Sequence, residues 1–330
     1  MKYEKTILVT GGLGFIGSAF LRENAPLYPK WLFVNLDDYR EGAHDEAVES
    51  VCMLHNYKFV RCALEKGEAI RHLFDQCPFT DVLHFAADSN VDHSIKQPLK
   101  TYESNVLGTL NLLEAVRVWN KVRPIRFLYV STDEVYGPNP NSVAYLEKHP
   151  LNPTNPYSAS KAAAEHLVMS YKNTFGVDAI ITRGVNTFGP WQTETKLVPR
   201  SVALLKSGYK IELYGAGEAT REWIPLECHV GGIFIAWRKG VSGEAYNIGT
   251  NVEFSGKEIA WIILSSLGLP DNKLQFIKDR PGHDMRYSID HQKIQQLGWD
   301  PLMFNTKDGV KLAMASTARW LWTNGKDPVK

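Results

Sequence analysis

The sequence predicts an α/β protein with a doubly wound parallel sheet and a smaller C-terminal substrate-binding lobe. Through the first half, short apolar runs alternate with helix-length segments, and the first run ends in a glycine-rich turn. In the second half, frequent Gly and Pro replace this rhythm. Continuous apolar strands that are separated by helices are typical of a parallel sheet covered on both faces.

Six apolar runs are predicted to be strands, and four segments have helical patterns. The predicted strands are residues 6–10, 31–36, 57–60, 81–85, 125–130 and 179–182. The predicted helices are residues 15–25, 66–76, 103–120 and 157–175. We therefore assign residues 1–186, with a return segment at 223–250, to the sheet domain, and residues 187–222 and 251–330 to the smaller lobe.

Composition indicates a globular protein without bulk affinity for nucleic acid or membrane. Of 330 residues, 44% are hydrophobic and 22% are charged, and the formal net charge is +1. No apolar run approaches the roughly 18 residues that span a bilayer, and the N-terminal apolar stretch is too short for a signal peptide. The four cysteines show no Cys-x-x-Cys spacing. We therefore expect no metal site, and reduced thiols in a cytoplasmic protein.

A glycine-rich turn, residues 11–17, joins the first predicted strand to the first predicted helix. Glycines at positions 11, 14 and 17 permit a tight turn and let a pyrophosphate approach the backbone amides at the helix N-terminus. Asp37 ends the second predicted strand, where a carboxylate accepts hydrogen bonds from adenosine ribose hydroxyls and repels a 2′-phosphate. The pattern predicts a Rossmann-type fold that binds NAD rather than NADP.

Tyr157 and Lys161 lie four residues apart in a stretch of high helix propensity, so they share one helix face. A free tyrosine titrates near ~10, which makes it too weak a base at neutral pH. We expect the ammonium and a positive nicotinamide ring to lower the pKa of Tyr157. Lys161 is also placed to hold the nicotinamide ribose. After a dinucleotide turn, the pair indicates an active site rather than an incidental surface pair.

The segment Thr132-Asp133-Glu134 follows the fifth predicted strand, and ligands of open α/β sheets bind at the carboxyl ends of strands. Two carboxylates divide acid and base work when their environments push their pKa values apart. Alone, the segment would favour a helix cap over an active site, since Thr and Asp are good N-caps. With Tyr157 and Lys161, it suits an enzyme that oxidises its substrate briefly, eliminates from it and returns the hydride.

Four segments together resemble the extended short-chain dehydrogenase/reductase superfamily. They are the glycine turn, Ala86-Ala87-Asp88-Ser89, residues 131–137 and Tyr157-x-x-x-Lys161. Within this superfamily the chain resembles the nucleotide-diphosphoglucose 4,6-dehydratases, typified by the dTDP-glucose enzyme of rhamnose synthesis. Residues 186–190, 196–199, 214–223, 246–249 and 279–287 agree with the same family. The resemblance covers nearly the whole chain.

The resemblance implies an NAD-dependent lyase, a hydro-lyase that converts dTDP-glucose or UDP-glucose to the 4-keto-6-deoxyglucose nucleotide in deoxysugar or rhamnose biosynthesis. Tyr157 would take the O4 proton while hydride leaves C4 for NAD, and Thr132 would hydrogen-bond O4. Glu134 would abstract the C5 proton, Asp133 would protonate the departing O6, and the hydride would return to C6. The catalytic set is Thr132, Asp133, Glu134, Tyr157 and Lys161.

The resemblance also implies two binding sets. The residues expected at the cofactor are Gly11, Gly14, Phe15, Ile16, Gly17, Asp37, Leu64, Ala86, Ala87, Ser104, Tyr157, Lys161 and Thr187. Those expected at the nucleotide sugar are Ser89, Thr132, Asn186, Lys196, Leu197, Tyr214, Arg221, Arg280 and His283. Arg221 and Arg280 are the favoured partners of the diphosphate, because a guanidinium donates hydrogen bonds in pairs.

Several positions depart from the family pattern. Ala63 stands at a usual Asp, so adenine recognition would rest on Leu64 and the backbone. Ser104, Thr187, Ser255 and Cys228 replace a common Thr, two Asn residues and an Asp. The loop between Gly137 and Pro156 is also shorter than in typical bacterial members. These changes leave thymidine or uridine as the nucleotide undecided.

Three other functions stay open. A nucleotide-sugar 4-epimerase would share the fold, NAD and the Tyr/Lys pair, but normally has small hydroxyl residues in place of Asp133-Glu134. A UDP-glucuronate decarboxylase usually has Ser at the Asp position and needs a cation for the C6 carboxylate. A non-catalytic NAD-sensing regulator tends to lose the Tyr/Lys pair.

The resemblance further implies a homodimer, paired as a four-helix bundle through helices 103–120 and 157–175. Their apolar faces carry Leu107, Leu110, Leu113 and Val116 on one helix, and Ala163, Leu167, Val168 and Tyr171 on the other. Part of each face is expected to pack in the core of the chain itself.

Overall fold

The computed structural model describes residues 3–140, 143–279 and 284–325. The strands are β1 (Lys5–Thr10), β2 (Trp31–Asp37), β3 (Tyr57–Arg61), β4 (Asp81–His84), β5 (Arg126–Thr132), β6 (Asp178–Gly184), β7 (Asn186–Phe188), β8 (Ile211–Tyr214), β9 (Thr220–Pro225), β10 (Ala245–Ile248), β11 (Glu253–Ser255) and β12 (Leu274–Ile277). The α-helices are α1 (Phe15–Asn24), α2 (Glu49–Cys52), α3 (Gly67–Gln76), α4 (Val91–Lys96), α5 (Pro98–Tyr102), α6 (Gly108–Trp119), α7 (Pro156–Phe175), α8 (Leu197–Lys206), α9 (Leu226–Lys239), α10 (Gly256–Ser266), α11 (Gln292–Gln295) and α12 (Lys307–Asn324).

The main sheet has seven parallel strands in the order β10-β6-β5-β4-β1-β2-β3. This arrangement confirms the predicted doubly wound α/β class, and all six predicted strands belong to it. Every predicted strand differs from the observed one by one or two residues at one or both ends; in particular, β4 ends at His84 and β5 continues through Thr132. The longer β5 carries Thr132 to the carboxyl edge of the sheet, where the parallel strands all end.

Apolar layers cover both faces of this sheet, because successive side chains of a strand point to opposite faces. In β1, Ile7 and Val9 belong to one layer, which contains Phe20 of α1 and Trp237 of α9. Leu8 belongs to the other layer, which includes buried side chains of α3, α6 and α7. Continuous burial on both faces explains why the strands read as apolar runs rather than as alternating patterns.

Helix α7 places Tyr157 in its first turn. Asn155 caps the helix reciprocally with Ser158, and Pro156 occupies the first helical position, where its missing N–H costs nothing. The helix ends at Gly176, which adopts a positive φ of 69°. The predicted helix 103–120 begins differently, as a π-helical turn at Glu103–Leu107 that continues into α6.

A second group of elements packs beside the carboxyl edge. Strands β11, β9 and β7 form a three-stranded sheet, and β12 pairs with β8. Their apolar side chains share a separate core with α8, α10 and α12. Between residues 223 and 250, only β10 joins the main sheet, while α9 packs on that sheet through Ile233 and Trp237.

Two further observations concern the described part of the chain. No helix in it combines the length and apolar character that crossing a bilayer demands. The four cysteines all lie in it and are free thiols; Cys77 and Cys228 are buried.

A buried ion pair ties α7 to the main sheet. Arg183 of β6 donates to both carboxylate oxygens of Glu165, and the closest contact is 2.6 Å. The same guanidinium donates to the Tyr136 hydroxyl at 2.6 Å and to the Glu147 carbonyl at 3.0 Å. Since the pair is nearly inaccessible to water, its loss would leave an uncompensated buried charge.

Replacement of Glu165 by glutamine should therefore destabilise the protein by about 3–5 kcal/mol, the usual cost of breaking a buried pair. Urea denaturation followed by circular dichroism measures the change in the free energy of unfolding. Glu244→Gln is the matched control, because Glu244 pairs with Lys293 at the surface; it should change stability by at most about 1 kcal/mol. Equal effects of the two changes would contradict the prediction.

Candidate active site

A cavity of about 870 Å³ runs along the carboxyl edge of the main sheet. Every residue predicted at the cofactor lines it: Gly11, Gly14, Phe15, Ile16, Gly17, Asp37, Leu64, Ala86, Ala87, Ser104, Tyr157, Lys161 and Thr187. All five predicted catalytic residues also line it. The fold therefore brings these predicted residues together in one cavity, although Gly11 and Thr187 lie 176 positions apart in the chain.

The glycine turn has no room for side chains at two positions. Gly11 has a φ of +70°, and a Cβ atom there would lie 2.7 Å from the backbone of Ala86. A Cβ atom on Gly17 would lie 2.3 Å from the Gly11 carbonyl oxygen. Among the residues that the structure describes, no side chain caps the first amides of α1, and the residues around these amides line the cavity. These open amides suit a pyrophosphate at the helix N-terminus.

Asp37 is nearly buried at the end of β2. One carboxylate oxygen accepts from the Leu13 amide and the other from the Tyr39 amide, each at 3.0 Å. Burial raises the pKa of Asp37, while these amides act in the opposite direction. Each oxygen retains a second lone pair, so the carboxylate can still accept a hydrogen bond from a ribose hydroxyl. The Asp37 carboxylate therefore fits the adenosine ribose of a dinucleotide that has no 2′-phosphate.

Thr132 serves both as a helix cap and as a wall of the cavity. Its hydroxyl accepts from the Glu134 amide at 3.3 Å, at the start of a short 3-10 helix, Asp133–Tyr136. The next residue, Gly137, has a φ of 75°, and a Cβ atom there would lie 2.1 Å from the Asn152 carbonyl oxygen. The capping interpretation is thus correct for the backbone, and the same turn holds both carboxyl groups at the cavity.

The two adjacent carboxyl groups have different surroundings. Asp133 is 2% exposed, and its Oδ1 accepts from the Thr132 hydroxyl at 3.2 Å. Its Oδ2 has no hydrogen-bond partner among the described residues. Burial first, then the charges of Glu134 and Glu222, raises the pKa of Asp133 to about 8. Asp133 is therefore mainly protonated at neutral pH, as an acid must be.

Glu134 is only half-buried, and its Oε2 accepts from the Asn155 side-chain amide at 3.4 Å. It borders both the main cavity and a second, smaller one. The sequence-based expectation of two carboxyl groups in unlike environments is therefore matched by the geometry.

The sequence-based expectation that Lys161 lowers the pKa of Tyr157 is wrong for the protein alone, because the surroundings of Tyr157 raise its pKa. The Lys161 ammonium donates to the Val130 carbonyl at 2.7 Å and lies 4.2 Å from the centre of the Tyr129 ring. Burial lowers the pKa of Lys161 to about 7, so its charge is incomplete at neutral pH. Burial, Glu134 and Asp133 raise the pKa of Tyr157, and the Thr132 hydroxyl only partly opposes them.

The second cavity, of about 190 Å³, adjoins the first through Glu134, Asn186, Thr195 and Lys196. Of the residues predicted at the nucleotide sugar, Asn186, Lys196, Leu197, Tyr214 and Arg221 line this cavity, and Ser89, Thr132, Asn186 and Lys196 line the first. Arg280 and His283 lie outside the described residues.

Arg221 is held in place by distant parts of the chain. Its guanidinium donates to the Thr220 carbonyl at 2.8 Å and to the Asp284 carbonyl at 2.6 Å. The Tyr287 ring lies 4.6 Å from its central carbon. A guanidinium anchored in this way is oriented before a diphosphate binds, which lowers the entropic cost of binding.

Sequence reasoning missed several residues of this site. Arg200 and Tyr287 line the second cavity, and Arg200 pairs with Glu212 at 2.5 Å. Asn155 contacts Glu134, and the Asn-Pro pair before Tyr157 is a sequence signal for its place as the helix cap but not for this contact. Ser255, which stands at a usual Asn of the family, caps α10 with its hydroxyl, while the adjacent Gly256 lines the second cavity.

Comparisons with known proteins agree with this geometry. A family profile described as GDP-mannose 4,6 dehydratase matches residues 8–311. The dTDP-glucose 4,6-dehydratase of Xanthomonas campestris is 37% identical over 97% of this chain and 93% of its own. The human dTDP-D-glucose 4,6-dehydratase is 36% identical, with 98% and 91% covered.

Solved structures give the same result. The dTDP-glucose 4,6-dehydratase of Streptomyces venezuelae, crystallised with NAD and dTDP, superposes with a TM-score of 0.90 at 35% identity over 97% of each chain. A Thermus thermophilus UDP-glucose 4-epimerase in complex with NAD gives a TM-score of 0.84 at 27% identity over 95% of this chain and 99% of its own. On the extent of the profile match and the identity along almost its full length, this chain belongs to the GDP-mannose 4,6 dehydratase family.

Proposed function

We propose that this protein is an NAD-dependent hydro-lyase that converts dTDP-glucose, or UDP-glucose, to the 4-keto-6-deoxyglucose nucleotide. The observation that carries the proposal is the pairing of a buried Asp133, whose pKa is raised by burial, with a more open Glu134 on the cavity that Tyr157 also lines. The relatives named dTDP-glucose 4,6-dehydratase favour thymidine as the nucleotide. Such a product belongs to deoxysugar biosynthesis, of which rhamnose formation is one branch.

The chain's own residues define where the dinucleotide would bind. The open amides of α1 take the pyrophosphate, Asp37 takes the adenosine ribose, and Lys161 with Tyr157 borders the nicotinamide half. Bound NAD supplies an acceptor for the C4 hydride and later a donor of that hydride to C6. The close packing of Gly11 and Gly17 against neighbouring backbone is the structural observation that fits this use of the cavity.

Tyr157 is the base for the O4 proton, and Thr132 supports it by hydrogen-bonding the same oxygen. The protein's own charges favour the phenol over the phenolate. The basic form therefore depends on positive charge in the cavity, which Lys161 supplies only in part. Positive charge on an oxidised dinucleotide, if held beside Tyr157 and Lys161, would favour the phenolate of Tyr157.

Glu134 and Asp133 then perform the elimination. The C4 ketone acidifies the C5 proton, which Glu134 removes as a carboxylate. Asp133 gives its proton to O6, and the C6–O6 bond breaks to release water. Glu134 returns its proton to C5 when hydride reaches C6. Each such proton transfer contributes about 10²–10⁴ in rate.

The alternatives explain less of this site. A 4-epimerase fits the fold, as the Thermus thermophilus neighbour shows, but its reaction has no use for a buried acid at Asp133. A UDP-glucuronate decarboxylase requires no leaving-group acid at that position. A non-catalytic NAD-binding regulator has no need for the Tyr157 and Lys161 pair.

Incubation of the purified protein with dTDP-glucose and with UDP-glucose, in separate reactions, tests the proposal. Proton NMR should show a new C6 methyl signal with dTDP-glucose, and the relative rates decide the nucleotide. A galactose nucleotide would indicate an epimerase instead. Turnover of UDP-glucuronate with loss of carbon dioxide would indicate a decarboxylase. Absence of turnover with all three would refute the hydro-lyase proposal.

Replacement of Gly17 by alanine should weaken NAD binding at least about tenfold. The new Cβ atom would lie 2.3 Å from the Gly11 carbonyl oxygen, so that carbonyl must move and the turn is distorted. Isothermal titration with NAD measures the change. Gly231→Ala on α9 is the control, since its nearest neighbour atom would be 3.9 Å away. The control should keep wild-type affinity and gain up to about 1 kcal/mol of stability. Unchanged affinity of Gly17→Ala would contradict the assigned cofactor site.

We also propose a homodimer through α6 and α7. Leu113, Val116 and Val168 are fully buried within the chain and are unavailable to a partner. Leu107 is 41% exposed and supports the proposal, as do exposed Leu99 and Tyr102 on the preceding turn. Light scattering measures the assembly.

A cytoplasmic location remains a prediction from the spacing of the cysteines.

A further inference from the structure

Glu222 is a fully buried carboxyl group that the proposed mechanism does not use. Its Oε1 accepts from the Thr250 amide at 2.5 Å and from the Asn251 amide at 2.7 Å. Its Oε2 has no hydrogen-bond partner among the described residues. A Cβ atom on Gly249 would lie 2.3 Å from Oε1, so the backbone there is shaped around this carboxyl group.

Strand pairing places Glu222 close to the proposed acid. Thr132, which precedes Asp133, pairs with Gly184 at the end of β6. Two residues later Asn186 pairs with Trp223, the neighbour of Glu222 on β9. The short segment between Gly184 and Asn186 is thus flanked by Asp133 on one side and by Glu222 on the other. Within the described part of the chain, each of the two carboxyl groups has one buried oxygen without a hydrogen-bond partner.

We propose that Glu222 is a positioning residue that acts through Asp133, keeping it in the protonated form that donates to the leaving O6. The inference rests on the proposed hydro-lyase function. An isolated Asp, with an ordinary pKa near ~3.9, would be almost entirely deprotonated at neutral pH and useless as an acid. Two carboxyl groups buried near each other do not both ionise readily, so the pair retains a proton.

The other charges around Asp133 do not replace this effect. On its own turn Asp133 faces Glu134, on β9 it faces Glu222 and Arg221, and on α7 it faces Tyr157. Arg221 is the one cation in this set, and it favours the ionised form. The remaining carboxylate, Glu134, must itself be ionised to act as a base. A second carboxyl group outside the reaction is therefore useful.

The surroundings of Glu222 are consistent with a shared proton. The amides of Thr250, Asn251 and Ile289 face it, and so does Glu253 of β11. The charge of Arg286 also interacts with Glu222, but the Arg286 guanidinium is paired with both carboxylate oxygens of Glu253, at 2.6 and 2.9 Å. Burial, and to a smaller extent the charge of Glu253, raises the pKa of Glu222, while burial and the charges of Glu134 and Glu222 raise that of Asp133. Two neighbouring carboxyl groups whose pKa values are both raised favour the retention of a proton between them.

The test compares the pH dependence of kcat in the wild-type protein, Glu222→Gln and Glu222→Asp. Glutamine keeps an oxygen for the Thr250 and Asn251 amides but removes the charge. Without that charge the pKa of Asp133 falls, so the acid form is lost at a lower pH. The alkaline limb of the kcat profile should move down by about one pH unit, which is about tenfold in rate on that limb. Glu222→Asp restores the charge and should restore the profile.

Glu244→Gln is the control for a carboxyl-to-amide change away from Glu222, because Glu244 pairs with Lys293 at the surface, and cofactor reduction in the first turnover is the control for steps before elimination. Neither should shift. A wild-type alkaline limb in a folded Glu222→Gln would overturn the inference. If Glu222→Gln does not fold, carbon-13 NMR of labelled glutamate in Asp133→Asn replaces it, because coupling is reciprocal. An unchanged Glu222 titration there would overturn the inference equally. Failure of the wild-type protein to form a C6 methyl would instead refute the proposed function.

Discussion

Replacement of Glu134 by glutamine should leave the protein able to oxidise C4 but unable to expel water. The amide cannot take the C5 proton, so turnover should fall by about 10²–10⁴-fold. Tyr157, Thr132 and Asp133 are unchanged, and the first hydride transfer should still occur. Mixing with dTDP-glucose should therefore produce a lasting rise in reduced-nicotinamide absorbance, while NMR shows no C6 methyl signal.

Two features make this result specific to the elimination step. Glu134 is half-buried and glutamine has its shape, so the Asn155 side chain, 3.4 Å from Oε2, keeps an oxygen to donate to. Glu103→Gln is the control, because this exposed carboxylate lines the same cavity without a proposed role. Normal formation of the 4-keto-6-deoxy product by Glu134→Gln would show that another group removes the C5 proton.

Local patterns made the cofactor half of the site predictable. The glycines of residues 11–17 and Asp37 act through a turn and a strand end, whose geometry depends on near neighbours in sequence. Tyr157 and Lys161 share a helix face because α-helical spacing dictates it. The strands of the main sheet were equally visible, since burial on both faces makes each one a continuous apolar run.

Long-range contacts set what could not be predicted. Lys161 points at the Val130 carbonyl, 31 positions away, and Arg221 is anchored by Asp284, 63 positions away. The direction of the Tyr157 pKa shift follows from burial and from two carboxyl groups on another element, neither of which spacing reveals. Glu222 received no role from the sequence, and only the pairing of β9 with β7 brings it near Asp133.

Replacement of Tyr157 by phenylalanine should stop the reaction one step earlier than Glu134→Gln does. Phenylalanine cannot accept the O4 proton, so C4 oxidation itself should slow by about 10²–10⁴-fold. Neither reduced nicotinamide nor a C6 methyl signal should accumulate on mixing with dTDP-glucose. In the wild-type protein the backbone amide of Tyr157 donates to the Ser94 hydroxyl at 3.1 Å. Because this bond does not involve the side chain of residue 157, the start of α7 should persist in the variant.

Tyr209→Phe is the matched control, because Tyr209 is 67% exposed, lines neither cavity and should lose no activity. The pH dependence supplies a second readout. Since burial and the two carboxyl groups raise the pKa of Tyr157, C4 oxidation by the wild-type protein should accelerate as pH rises and more phenolate forms. Tyr157→Phe should lack that acceleration. Rapid cofactor reduction by Tyr157→Phe, with the wild-type pH dependence, would transfer the base role to another group. The pair of variants thus separates the two proton acceptors: one loses oxidation, and the other keeps oxidation but loses elimination.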